Sequence, residues 1–461
     1  MIGAGNRGYF AYGEALRSVD GSRVVAVAEP DQLRRERFAK RHSIGTKDSV
    51  ADWQVLLSRP KFADGVIIAS PETEHVEPAI QALARGYFVL LEKPISVGLE
   101  GIKSLADLGA DTSRLFVAHV LRYSSFFKRL KSLLDSDSVG MIQAVEYTEQ
   151  VASYHFAHSY VRGNWRDSTR TGPSILSKSC HDMDILTWLL SSKALSVISK
   201  GGLKYFRKEN APENSAERCL DCPLNQTCPY SAVTQYLSDN VDWPVNTIGN
   251  DMSFESRREI LRTSSYGRCV FRSDNNVADY QNVLISFDNG VDAFFSMNAF
   301  TSAKTRKILV SGSHGEITGD FERDSIEVKL FSGDHKTYLA THDGSRHGGG
   351  DSEIVKGFVR YLEGETGPLS TTFEDSLQSH LMCWAAEKSR LMGGTPVDPW
   401  SLINYEFSPV SSTKTSSKEG LLCSISITSS FICRILGRIS SIVHPCWKLI
   451  FTTPFNLLSL R

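Results

Sequence analysis

The sequence predicts an α/β fold in two parts. An N-terminal doubly wound parallel sheet, its first strand truncated, precedes an α+β domain with an open, largely antiparallel sheet. Three observations predict this. Over residues 1–120, apolar β-branched runs alternate with helical segments, the pattern of right-handed βαβ units. The chain opens on Gly3, Gly5 and Gly8 in Gly-x-Gly-x-x-Gly spacing. Beyond residue 120 the strands alternate polar with apolar, and helices stand apart from them.

Taken in order, the glycine loop should follow a buried strand, yet only Met1 and Ile2 precede it. The first strand is therefore expected to be almost absent, as from an incomplete gene model. Residues 23–28 form a buried parallel strand ending at Glu29-Pro30-Asp31, with a charged helix over 32–42. Residues 65–69 are the next strand, ending in Ser70-Pro71, with a helix over 77–85. Residues 87–91 are the third, ending in Glu92-Lys93-Pro94, before a helix near 98–109 and a strand at 115–119. The second domain, 121–406, with a cysteine-rich insertion near 205–272, carries strands at 143–149, Tyr280–Phe287, 293–297 and 307–310 and helices at 175–190, 354–362 and 377–390. A Ser-rich basic tail with Cys423, Cys433 and Cys446 occupies 407–461; disorder or an aberrant extension is expected, with a basic membrane anchor as the alternative.

Composition narrows the function. Of 461 residues, 41% are hydrophobic and 22% charged, which excludes a wholly disordered chain. Lys+Arg 51 against Asp+Glu 52 leaves a net charge of -1, with no general pull toward nucleic acid or anionic membrane. No run of about 18 apolar residues marks a membrane span. Nine cysteines without a secretory signal argue for reduced thiols or a metal site, and with no nuclear, secretory or peroxisomal address legible the cytoplasm is the default expectation.

The chemistry is expected at the carboxyl ends of the parallel strands. Gly3 allows the tight turn, Gly5 lets backbone approach a pyrophosphate, and Gly8 lets helix and strand pack closely. Glu29 ends the next strand, where an acid would grip ribose hydroxyls and repel a 2′-phosphate. NAD is thereby favoured, with NADP left open by Arg34 and Arg35. A helix N-terminal charge is the other reading of Glu29. Lys93 ends a strand at the ligand edge, where an ammonium would stabilise a developing alkoxide. On a predicted helix, Ser177, Lys178, His181 and Asp184 are expected on one face; His181 suits proton transfer to a hydroxyl or carbonyl oxygen. Residues 154–166, with His155, His158, Arg162, Asn164 and Trp165, read as a loop that either binds a polyhydroxylated or carboxylated ligand or folds against the second sheet. Arg122 and Tyr123 are further substrate candidates. His347-Gly348-Gly349-Gly350-Asp351 reads as a similar loop or as a helix entry capped by Asp351. Cys219, Cys222, Cys228 and Cys269 (C-x2-C-x5-C plus one) could complete a tetrahedral structural zinc site, with an iron–sulfur cluster or free thiols as alternatives.

Gly3-Ala4-Gly5-Asn6-Arg7-Gly8, Glu29-Pro30-Asp31, Ala69-Ser70-Pro71 with His75, Glu92-Lys93-Pro94, and the stretch 172–184 together resemble the glucose–fructose oxidoreductase / inositol dehydrogenase (Gfo/Idh/MocA) family over roughly 1–400. The resemblance implies a Rossmann domain, an α/β domain with an open sheet, and a nicotinamide cofactor between them. It implies cofactor contacts from Gly3, Gly5, Asn6, Arg7, Gly8, Glu29, Ser70, Pro71, His75, Glu92 and Lys93. It also implies a lysine at Lys93 that holds nicotinamide ribose and reacting hydroxyl, and a catalytic histidine at His181. The family often carries Asp four residues before that histidine; Ser177 stands here, and Lys178 is expected to take part of its role. An NAD(P)-dependent oxidoreductase of sugars or polyols is implied, with homo-oligomers formed through the exposed sheet. A glycoside-cleaving NAD enzyme and a non-catalytic ligand sensor are the alternatives.

Overall fold

The computed structural model describes residues 1–341, 347–365, 367 and 370–403. Met1–Glu406 form one compact unit; the expectations for the tail 407–461 lie outside the described residues. Strands are numbered as follows: β1 Val27–Ala28, β2 Ser49–Val50, β3 Gly65–Ile68, β4 Phe88–Leu91, β5 Leu115–Val117, β6 Ile142–Gln150, β7 Ala194–Gly202, β8 Tyr280–Phe287, β9 Asp292–Asn298, β10 Thr305–Gly312, β11 Gly315–Asp320, β12 Ser325–Leu330 and β13 His335–Leu339. The longer helices are α1 Gln32–Arg41, α2 Val76–Ala84, α3 Leu99–Ala106, α4 Ser125–Asp135, α5 Ser174–Leu190, α6 Phe254–Thr263, α7 Gly350–Leu362 and α8 Phe373–Leu391.

β3, β4 and β5 pair in parallel in that order, and β1 pairs in parallel with β2. Ile2 joins the two sets. Its N–H donates to Ile67 O at 2.9 Å, its carbonyl accepts from Ala69 at 2.8 Å, and Gly3 N–H donates to Ala28 O at 2.8 Å. Met1 and Ile2 thus hold the central place of the sheet that the sequence reading left almost empty, and burial lowers the Met1 amino group to about 5. Contiguous apolar runs form these strands because both sheet faces are covered, so Val66, Ile68, Val89 and Leu91 are buried with Ala79, Leu83, Ile102 and Leu105 of the helices. Asp31 caps α1 by accepting from Arg34 N–H at 2.8 Å.

The second sheet runs β13-β12-β11-β10-β6-β9-β8-β7. Only the β6–β9 pair is parallel. One face packs on α4, α5 and the C-terminal half of α8. The other leaves Leu284 and Phe294, cross-strand partners on β8 and β9, exposed. α5 is buried along nearly its whole length between this sheet and the parallel one.

The chain crosses between the lobes more than once. The later chain returns to the first lobe: Ile354, Val355 and Phe358 of α7 join Ile67, Leu90 and Phe116, and Val117 N–H donates to Thr371 O at 2.8 Å. α8 spans both cores, with Phe373, Leu377 and Leu381 in the first and Met382, Cys383 and Ala386 in the second.

Candidate active site

The glycine loop has the shape a dinucleotide requires. At Gly3, φ is +85° and a Cβ would lie 2.6 Å from Ala69 and Ser70 backbone. At Gly8 a Cβ would lie 2.0 Å from Gly3 O, so this glycine permits the helix to start against the strand end. At Gly5 nothing stands within 4 Å, leaving the side on which backbone can meet a pyrophosphate. Glu29 sits against the same turn, its carboxylate accepting from Ala4 N–H at 2.7 Å and Asp31 N–H at 3.1 Å. Arg35 is turned onto the Glu29 and Pro30 carbonyls at 2.6 and 3.1 Å. These residues fit a dinucleotide with free ribose hydroxyls.

Arg7 and Glu92 do not present themselves as free cofactor contacts. The Arg7 guanidinium pairs with Glu92, with Asp351 at 2.7 and 3.0 Å, and with Tyr12 Oη at 2.8 Å. Glu92 also accepts from Lys93 N–H at 2.8 Å. Burial opposes the Glu92 charge, but Arg7 and Lys93 outweigh it and hold the carboxyl below its ordinary range. His75 braces two loops, with its ring nitrogens 2.8 Å from Pro94 O and 3.1 Å from Ser70 O. This seats Ser70-Pro71 beside Lys93-Pro94. Asn6 lies in the glycine loop, immediately before the helical turn Arg7–Gly13.

Lys93 and His181 come together. Lys93 Nζ donates to Ser177 O at 2.8 Å, one turn before His181 on α5. Burial first, then Lys93, His119 and His347, keeps the His181 imidazole neutral, with its pKa well below 6.5. Its Nδ1 is buried without a partner. His119 lies 5.7 Å and His347 6.1 Å away, ring centre to ring centre. His347 was noted in sequence only as part of a glycine loop, and His119 only as the end of a strand.

The shared face expected for Lys178 and Asp184 separates in the structure. Six residues turn a helix through roughly 240°, so the two diverge. Lys178 turns to Glu149 on β6 at 3.0 Å, within a buried set in which Arg306 pairs with Glu149 at 2.8 Å and Asp182 at 2.6 Å. Burial lowers the Lys178 pKa despite Glu149. Asp184 is held by Arg122 at 2.7 and 2.6 Å, and burial raises its pKa against that pull.

Most of the other substrate candidates have partners within the protein. Arg122 is turned to Asp184 and Ser370 O at 2.6 Å, and Tyr123 Oη lies 3.1 Å from Thr371 Oγ1; both are buried. Residues 154–166 are not an open loop: Ser153–Phe156 and Ala157–Arg162 are helical, because apolar Phe156, Tyr160 and Val161 bury one side. His158 sets its nitrogens 2.8 Å from Tyr236 Oη and 3.2 Å from Thr247 Oγ1, inside the cysteine-rich insertion. Arg162 is fully buried, donating to Arg268 O at 2.7 Å and Tyr230 O at 2.6 Å. Trp165 donates to Glu72 at 2.6 Å, joining the lobes, and Asn164 is exposed. His155 is half-buried, with its Nδ1 enclosed, and packs on Trp243, 4.7 Å between rings.

Cys219, Cys222, Cys228 and Cys269 border one small cavity with Arg162, whose Nη2 lies 3.5 Å from Cys219 Sγ. All four are free thiols. As placed, no three His, Cys, Asp or Glu side chains among the described residues are gathered closely enough to hold a metal ion, so the tetrahedral set expected from spacing is not assembled.

Fold and site define a two-lobed oxidoreductase with a dinucleotide loop facing a lysine–histidine pair. Residues 1–119 match the oxidoreductase family with an NAD-binding Rossmann fold, and residues 131–397 match that family's C-terminal alpha/beta domain. The chain belongs to the Gfo/Idh/MocA oxidoreductase family. YteT of Bacillus subtilis (strain 168), named as an oxidoreductase, is 23% identical over 323 residues, 66% of this chain and 73% of that protein. The scyllo-inositol 2-dehydrogenase (NAD(+)) of the same organism is 25% identical over 210 residues, 44% of this chain and 56% of its own length. A solved levoglucosan dehydrogenase, in complex with NADH and levoglucosan, shares the fold with a TM-score of 0.64 at 18% identity, over 86% of this chain and 97% of that one. Among the described residues no helix is long and apolar enough to cross a membrane.

Proposed function

We propose that this chain oxidises or reduces a hydroxyl-bearing carbon of a sugar or polyol with NAD as the hydride partner. The observation that carries the reading is the meeting of Lys93 and the neutral, unpartnered His181 across from the glycine loop and Glu29. The inositol and levoglucosan dehydrogenases among its relatives support the substrate class. Bound NAD supplies the acceptor for the hydride, chemistry that no side chain carries.

The chain's own residues do the rest. The loop at Gly3–Gly8 receives the pyrophosphate, and Glu29 accepts from ribose hydroxyls, a role a 2′-phosphate would oppose; NAD is therefore proposed over NADP. Lys93 places an ammonium beside the reacting oxygen and stabilises negative charge as it develops there. His181, kept neutral by burial, accepts the hydroxyl proton during oxidation and returns it during reduction. The test is a panel of inositols, anhydrosugars and aldoses with NAD and NADP, followed at the reduced nicotinamide absorbance. Turnover of a polyol or sugar with NAD supports the reading; no turnover of any member with either nucleotide refutes it.

Three finer statements belong with this reading. A cytoplasmic reaction is proposed, supported by the six described cysteines, none of which is joined in a disulfide. A homo-oligomer through the open sheet is supported by exposed Leu284 and Phe294. A structural zinc ion is proposed for Cys219, Cys222, Cys228 and Cys269, which would draw together around their shared cavity on binding. Its support is Arg162: this buried guanidinium has no carboxylate partner among the described residues, and Nη1 bonds to nothing. An unpaired buried cation costs several kcal/mol, roughly, and a tetrathiolate zinc centre is the counter-charge that its neighbours can supply.

A further inference from the structure

The segment before α7 is built with unusual constraint. His347, Gly348 and Gly349 follow one another at φ of 55°, 60° and 86°. A Cβ on Gly350 would lie 2.1 Å from Val120 O, so that position admits only glycine. His347 itself has a Cβ and pays for its left-handed backbone with about 1 kcal/mol of strain. Asp351 is not the cap of α7; Gly349 holds that place. The Asp351 carboxylate is buried and does something else. It takes the Arg7 guanidinium at 2.7 and 3.0 Å, and its Oδ1 lies 3.0 Å from His347 Nδ1.

A carboxylate accepts hydrogen bonds, so this contact fixes the proton of His347 on Nδ1 and leaves Nε2 as an acceptor. The ring is about one-third accessible and stands 6.1 Å from the His181 ring. Through Asp351 and Arg7 it is tied to the glycine loop, and through Glu92 to the backbone of Lys93. Resting on the oxidoreductase reading above, we propose that His347 is a second substrate-contacting imidazole. It accepts a hydrogen bond from a hydroxyl on the carbon next to the one whose proton His181 takes, so that the cleft selects vicinal diols. Asp351 is its positioning residue.

The experiment uses the full chain with 15N-labelled imidazoles, at pH 7.5 with NADH bound. The His347 signal is assigned by its loss in His347→Asn. The expected result is a proton on Nδ1 and none on Nε2, moving to the other tautomer in Asp351→Ala, where no side-chain acceptor remains for Nδ1. A proton on Nε2 in the unmodified protein, or the same tautomer in Asp351→Ala, overturns the proposal. Turnover then separates contact from mere packing: His347→Asn should lower kcat/KM for a vicinal diol about tenfold or more while NADH affinity stays within about twofold. For the corresponding deoxy compound the loss should largely vanish. An equal loss on both substrates, or no loss on either, overturns the proposal. A panel that the unmodified protein does not turn over refutes the oxidoreductase reading itself, an outcome distinct from a wrong tautomer.

Discussion

Gly5→Val separates a cofactor cradle from a merely structural turn. Nothing stands within 4 Å of a Cβ placed at Gly5, and its backbone φ is not left-handed. The new side chain therefore meets no protein atom at its first carbon, and stability should change by no more than about 0.5 kcal/mol. It would nevertheless fill the side on which a pyrophosphate approaches. Displacing the phosphates from two backbone N–H groups, at about 1.5–3 kcal/mol for each charge-assisted bond, removes about 3–6 kcal/mol of binding. That corresponds to an NADH dissociation constant weaker by roughly 10²- to 10⁴-fold. Fluorescence titration with NADH reads the affinity, and a thermal melt reads the fold. Gly8→Ala is the contrast: its Cβ would lie 2.0 Å from Gly3 O, so the melt itself should collapse. A Gly5→Val protein that folds and binds NADH like the unmodified chain would refute the cradle.

Three further outcomes follow from the same geometry. Burial lowers His158 and His380 from 6.5 to about 3, so the unfolded chain takes up protons on both below pH 6.5 while the folded chain does not. Stability should fall as pH drops through 6.5 toward 3, by about 2 kcal/mol for each at pH 5 relative to pH 7. Urea midpoints at the two pH values check this, and equal midpoints would contradict it. Glu29→Ala should weaken NADH and narrow its preference over NADPH by about tenfold, read by paired titrations; an unchanged ratio would remove Glu29 from the ribose site. Metal analysis should find about one zinc per chain, lost in both Cys219→Ser and Cys269→Ser, whereas metal-free unmodified protein would dismiss the zinc centre.

The parallel lobe was legible because its strands are covered on both faces and read as unbroken apolar runs, as in 65–69 and 87–91. Lys93 and the helix turn that carries His181 stood out in the sequence because each lies in a compact local motif, and the two meet in the structure. β7 and β11–β13 passed unnoticed: β11–β13 run only 6, 6 and 5 residues, and the nine residues of β7 show no regular alternation, so only pairing gives their pattern meaning. The inward turn of Arg122 depends on Asp184, 62 residues away, and that of Arg7 on Asp351, 344 residues away. No local spacing reports such partners. His158 and Arg162 look like ligand groups in a polar stretch, but the insertion at 205–272 folds over them and takes up their hydrogen bonds.

Hydrogen transfer tests the account most directly. Incubating the chain with NAD and a polyol or sugar deuterated at its carbinol carbons should place deuterium on nicotinamide C4. Lys93→Ala and His181→Asn should each slow that transfer by about 10²-fold or more. Absence of label from the nicotinamide with every substrate, or equal transfer by the two variants and the unmodified chain, would contradict the account.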